Sequence, residues 1–140
     1  MNPDDRIIFH PVSLAGEELV VCAKKLAAAE SKPIQLLFAA KAAHAALQAA
    51  LVAALSGPDY RGAYSDKTAK RHEETVAPSV EFDIKDYKVV NFLELIEKAK
   101  TKSLLKLTEE ENKLLERLSG IRDEIEHPKP VAINAFMFVF

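Results

Sequence analysis

An all-α fold, an up-down bundle of four to five helices, is what the sequence predicts. Three observations support this. Apolar residues recur at three- and four-residue spacing over most of the chain. Prolines stand at the starts and ends of those stretches and not inside them. The links between them are mostly short. With 140 residues and 49% hydrophobic content, the chain makes one domain, 1–140, able to bury roughly two thirds of its unfolded surface.

The first helix is expected from Ser13, a cap after Pro11, through Glu17, Leu19, Val20, Cys22, Leu26 and Ala29, with Cys22 in the core. Ser31-Lys32-Pro33 restarts a helix, since proline suits a first turn, and Gly57-Pro58 stops it. Its length and alanine content resemble a membrane span. Lys41, His44 and Gln48 interrupt it, leaving no uncharged run of about 18 residues, so it reads as a bundle helix and no membrane is expected. Those three polar residues make one stripe, while Leu37, Ala40, Leu47, Leu51 and Leu55 trace another side and the alanines between allow close helix approach. The stripe reads either as a solvent face or as the wall of a cleft, with Lys41 and His44 as its candidate contacts.

Residues 58–88 form an insertion rich in turn formers and charge, too long to be structureless in a compact domain. Asp66 to Thr75, capped by Ser65, is expected to be a short helix. It holds the chain's basic cluster, Lys67, Lys70, Arg71 and His72, before Glu73 and Glu74 reverse the sign. Such a run is a solvated face or, functionally, a contact for RNA or a partner. No aromatic residues interleave it as in stacking platforms, and Tyr60 and Tyr64 lie upstream.

From about Asp86 a third major helix reads Val89, Val90, Phe92, Leu93, Leu95, Ile96 and Ala99, with Lys98, Lys100 and Lys102 near its end, where cations suit the dipole. It should pack on the last helix. That last helix begins with Thr108 and Glu111, the two halves of a capping box, and buries Leu114, Leu115, Leu118, Ile121 and Ile125 on one face. Pro128 closes it, which puts His127 at or just past its last turn. The tail, residues 131–140, is almost wholly apolar. Left free it would invite aggregation, so it packs across the bundle, pairs with a second chain, or belongs to a longer protein.

Charge and composition exclude several classes. A net charge of −2 and a pI near 6.1 give no general field for polyanions, so RNA binding would have to be local. The single cysteine, Cys22, forms no internal disulfide, and no charged-then-apolar leader opens the chain, so a cytoplasmic protein is expected. His10, His44, His72 and His127 lack metal-site spacing, no Gly-rich phosphate loop is present, and neither a metal nor a cofactor is expected.

The residues closest to chemistry are Arg122-Asp123-Glu124-Ile125-Glu126-His127, at the foot of the last helix. A cleaved phosphate needs a fixed cation for its developing charge and a group that moves a proton near neutral pH, and Arg with His supplies both. Positions four apart share a face, so Asp123 can reach His127 and Arg122 can reach Glu126. Arg122 and His127, five apart, splay by roughly 140° on an ideal helix, so one phosphate meets both only if the last turn loosens or a symmetry mate helps. The same residues also fit a solvated helix end with paired charges, worth about 0.3–0.5 kcal/mol a pair.

The segment from Leu118 to His127 resembles the signature of HEPN domains, all-helical bundles marked by an Arg, then typically Asn, Asp or His, then a His four to six residues after the Arg. Many members are metal-independent endoribonucleases of toxin-antitoxin, abortive-infection and CRISPR systems, with a site formed at a dimer interface; others have lost catalysis and serve as binding modules. The resemblance implies Arg122 and His127 as the catalytic pair, Asp123 as polar support, and a homodimer. In the active form, a toxin or defence ribonuclease, one His127 takes the proton of a ribose 2'-hydroxyl. The other protonates the leaving 5'-oxygen and paired Arg122 side chains hold the phosphorane, leaving a 2',3'-cyclic phosphate. In the inactive form the bundle binds RNA or a protein, such as an antitoxin or nucleotidyltransferase companion. The position after the Arg, commonly Asn in the family, is Asp123 here.

Overall fold

The structure, a computed structural model, describes residues 10–56, 61–68, 70 and 88–128. Within them the chain is all-α. Its elements are α1 (Pro11–Ala29), α2 (Gln35–Leu55), a 3₁₀ turn (Arg61–Ala63), α3 (Phe92–Thr101) and α4 (Glu109–Glu126). The described residues hold no β-strand, only an isolated antiparallel bridge between Tyr64 and Val89.

Helix α1 starts earlier than Ser13. His10 is the cap, its Nδ1 accepting from the Val12 N–H at 3.3 Å, and Pro11 fills the first position, where its missing N–H costs nothing. Helix α2 is entered through a turn at residues 32–34 and ends at Leu55, two residues inside the expected stop. Residues 30–34 join α1 to α2, and the two pack along their lengths.

Helix α2 is the centre of the fold, touching α1, the 3₁₀ turn, α3 and α4. Its leucine side, Leu51 and Leu55, meets Ala63, Val90, Phe92, Leu95, Ile96 and Ala99 in the main core, with Leu105, Leu107 and Leu115 at the margin. The opposite side buries Ala39, Ala42, Ala46 and Ala49, side chains small enough for another helix to come close. By length and composition α2 is also apolar enough to cross a membrane. Here it is buried from several sides, as the middle helix of a bundle is.

Helix α3 begins at Phe92, not near Asp86. Asn91 sets the start by accepting the Glu94 N–H at 3.0 Å, and the preceding Val90 is tied instead to the 3₁₀ turn, its N–H donating to Ala63 O at 3.0 Å. Its main neighbour is α2; contact with α4 is slight, contrary to the expected α3–α4 pairing. The C-terminus closes in a Schellman motif, with Leu104 N–H on Ala99 O and Ser103 N–H on Lys100 O, both at 2.9 Å, and Ser103 at φ 57°.

Helix α4 has both halves of its capping box. Glu111 N–H donates to Thr108 Oγ1 at 3.2 Å, and Thr108 N–H donates to Glu111 Oε2 at 2.7 Å. Ile121 is its buried residue, with Leu114, Leu115, Leu118 and Ile125 half-buried around it. In the insertion, residues 66–68 and 70 are helical and Ser65 caps them as expected, accepting the Thr68 N–H at 3.3 Å. Thr68, itself buried, accepts from the Lys88 N–H at 3.2 Å and ties this segment to the approach to α3. Arg71, the rest of the 66–75 helix, and the apolar tail lie outside the described residues.

Candidate functional site

At the foot of α4 the helix ends as Pro128 requires. His127 is the C-cap, at φ −123° and ψ 65°, and its N–H donates to Asp123 O at 2.9 Å. The expected i, i+4 pair between Arg122 and Glu126 is present: Arg122 Nη2 donates to Glu126 Oε2 at 2.7 Å. Arg122 Nη1 takes the adjacent acid as well, reaching Asp123 Oδ1 at 3.0 Å. Both terminal nitrogens of the guanidinium are therefore engaged by carboxylates of its own helix.

Asp123 is turned to Arg122, and the pairing of its carboxylate with the His127 ring is not made. The His127 side chain is exposed, and among the described residues no hydrogen bond or ion pair reaches it. Within one chain Arg122 and His127 do not join in a shared contact, as the splay of five helical residues requires.

Across from Arg122 stands His44. The stripe expected on α2 divides: Lys41 is exposed, Gln48 is half-buried and His44 is buried at 4% exposure. The reason is its register. His44 lies seven residues before Leu51 and eleven before Leu55, so it shares their inward face. Its ring packs on Phe92 of α3 with centroids 4.1 Å apart. Burial holds the imidazole pKa below its ordinary 6.5, and the Arg122 charge pushes the same way, while Asp123 and Glu126 pull it partly back up. His44, Arg122, Asp123 and Glu126 thus form a polar cluster where α2 meets α4. The position of His44 relative to the leucines is the sequence signal that identifies it.

The pH consequence follows from that lowered pKa. Below pH 6.5 the unfolded chain protonates at His44 while the folded chain resists, so the neutral ring's contribution is full above 6.5 and lost as pH falls toward the folded value. A His44→Leu variant should show a flatter loss of thermal stability than the wild type between neutral pH and about 5. Parallel melting-temperature profiles for the two proteins would sink this account.

The exposed Lys67 and Lys70 do not join the cluster. They belong to the α3 side of the molecule, where the neighbouring Asp66 lies 3.8 Å from Lys98. A separate cleft of about 260 Å³ opens between α1, α2 and α4, walled by Cys22, Leu26, Leu36, Leu118 and Ile121 with Arg117 among its lining residues. None of the sequence-predicted site residues lines it. Cys22, expected in the core, is half-buried in that wall, and burial raises its thiol pKa. Among the described residues no group of three or more His, Cys, Asp or Glu is arranged to hold a metal ion.

No family model, curated protein or solved structure matches the chain.

Proposed function

We propose that this chain is a HEPN-like up-down helical bundle acting as a partner-binding module, with Arg122 in a structural role. The observation that carries this reading is the double engagement of Arg122, at 3.0 Å from Asp123 and 2.7 Å from Glu126. A phosphate entering here would have to displace two carboxylates of its own sign, at a helix C-terminus that already disfavours anions. The net charge of −2 favours a protein partner over RNA. A second copy, an antitoxin or a nucleotidyltransferase companion is the class of partner the resemblance supplies. Lys67 and Lys70 are exposed basic positions available to it. The proposal includes a cytoplasmic setting.

One observation favours a second reading, a homodimeric metal-independent endoribonuclease. His127 is exposed at the helix end, and the Arg122 side chain is 35% exposed beside it, so a symmetry mate could complete a composite site. There His127 would move the protons and paired Arg122 side chains would hold the phosphorane.

Incubation of a mixed RNA pool with purified protein in EDTA separates the two. Wild type, Arg122→Ala and His127→Ala are compared, and product ends are checked for cyclic phosphate. The binding-module reading expects no cleavage by any of the three, with Arg122→Ala raising the His44 pKa by removing a nearby positive charge. Cleavage that survives EDTA, yields cyclic phosphate ends and vanishes in both variants replaces it with the nuclease.

A further inference from the structure

The cleft between α1, α2 and α4 is apolar on all three sides. Helix α2 lines it with Ala40 and Ala43, short side chains that leave room between the helices, and a space of about 260 Å³ results. Leu26 stands in the α1 wall and Ile121 in the α4 wall. Cys22 supplies a thiol, and its raised pKa keeps that thiol neutral, so it serves here as a small apolar group.

Among the described residues that line the cleft, Arg117 alone is charged. It lies one helical turn before Ile121 and is exposed, the arrangement of an arginine whose aliphatic stem runs along a wall while its guanidinium stays at the mouth. No carboxylate among the described residues pairs with it. Arg122, by contrast, is held by two acids of its own helix, and Lys25 on the α1 side is set over the Phe38 ring at 5.6 Å. Leu26 is 51% exposed although it walls an apolar space. A molecule seated in the cleft would cover it and meet a free cation at the entrance.

We propose that the α1–α2–α4 cleft binds a medium-chain aliphatic carboxylate, its chain between the helices and its carboxylate on Arg117. Size sets the chain. An apolar cavity of about 150 Å³ takes benzene, so 260 Å³ holds about ten carbons on the same scale. Charge sets the head: a carboxylate can be met by the guanidinium through two parallel hydrogen bonds and carries the single negative charge that one cation matches. A cationic head would be repelled there. Arg122, Asp123 and His127 take no part, so the inference goes beyond the binding-module reading and the outcome of the RNA experiment does not decide it.

The test is isothermal titration calorimetry of the full chain with decanoate and with decanol, whose chain is the same and whose head is uncharged. Decanoate should bind saturably, one molecule per chain, and more tightly than the alcohol. Arg117→Gln should weaken decanoate by about tenfold and leave the alcohol unchanged, and because Arg117 is exposed the variant should keep its fold. Ala43→Leu, which fills the cleft, should remove both. Cys22 is the only cysteine, so its alkylation by N-ethylmaleimide reads the cleft directly and should slow in proportion to decanoate occupancy. Non-saturable uptake, equal binding of the two probes, wild-type affinity in Arg117→Gln, or a Cys22 rate indifferent to bound decanoate overturns the proposal. Absence of binding by both probes, with Cys22 slow to react in the ligand-free protein, would overturn it in favour of the chain's own apolar residues 131–140 as occupant.

Discussion

Leu95→Ala should cost about 2–5 kcal/mol, a large share of the roughly 5–15 kcal/mol a domain of this size commands. Leu95 is fully buried at 0% exposure and meets side chains from α2, the 3₁₀ turn and the segment leading into α3. Truncation loses the transfer energy of the missing carbons. It also opens a cavity whose walls belong to different elements and cannot all close in at once. Phe92, one helical turn before Leu95, is the ring against which His44 packs, so the loss should extend to the polar cluster. Urea unfolding checks this: the midpoint should fall with little change in slope. A cost below about 1 kcal/mol would mean that the core had repacked and that α3 is held elsewhere.

Gly62→Ala is the second large effect, expected to destabilise by about 3 kcal/mol, the upper end of overpacking costs. A Cβ at this position would overlap the Leu55 carbonyl oxygen and lie 2.9 Å from the Leu55 carbonyl carbon, with Lys102 Nζ at 3.2 Å. Lysine can swing aside. The carbonyl is backbone at the last turn of α2, so relief requires the 3₁₀ turn to back away from the helix, and Ala63, buried at 0%, would come out of the core with it. Replacing glycine by alanine ordinarily gains about 0.4–1 kcal/mol from the stiffer unfolded chain. That gain is too small to reverse the sign. Thermal melts of the two proteins decide it, and an equal or higher melting temperature for Gly62→Ala would remove the close approach from the account.

What the sequence makes legible here is what neighbours along the chain determine. The α4 start is visible because a capping box is a local exchange between Thr108 and Glu111, and its end because Pro128 acts on the residue before it. The Arg122–Glu126 pair follows from helical spacing alone. Illegible features depend on distant partners. Val89 and Val90 carry a helix-compatible pattern, but bonding to the 60s segment draws them out and leaves Asn91 to start the helix. His44 reads as polar and hence outward until the leucine register of α2 is followed through it. For the candidate site, the sequence marks Arg122, Asp123 and His127, yet it leaves open whether Asp123 turns to its neighbour or to the histidine four residues on. The neighbouring guanidinium takes it.

The buried alanines of α2 set a rule for descent. Ala39, Ala42, Ala46 and Ala49 are each exposed by 7% or less, so any added methyl group there pushes a neighbouring helix outward. Divergence along this helix should therefore be limited by side-chain volume more than by polarity. Serine or glycine could drift in at those positions over generations, while leucine and valine, equally apolar, would be purged. Relatives of this chain would then share a helix recognised by its size profile long after residue identities had faded.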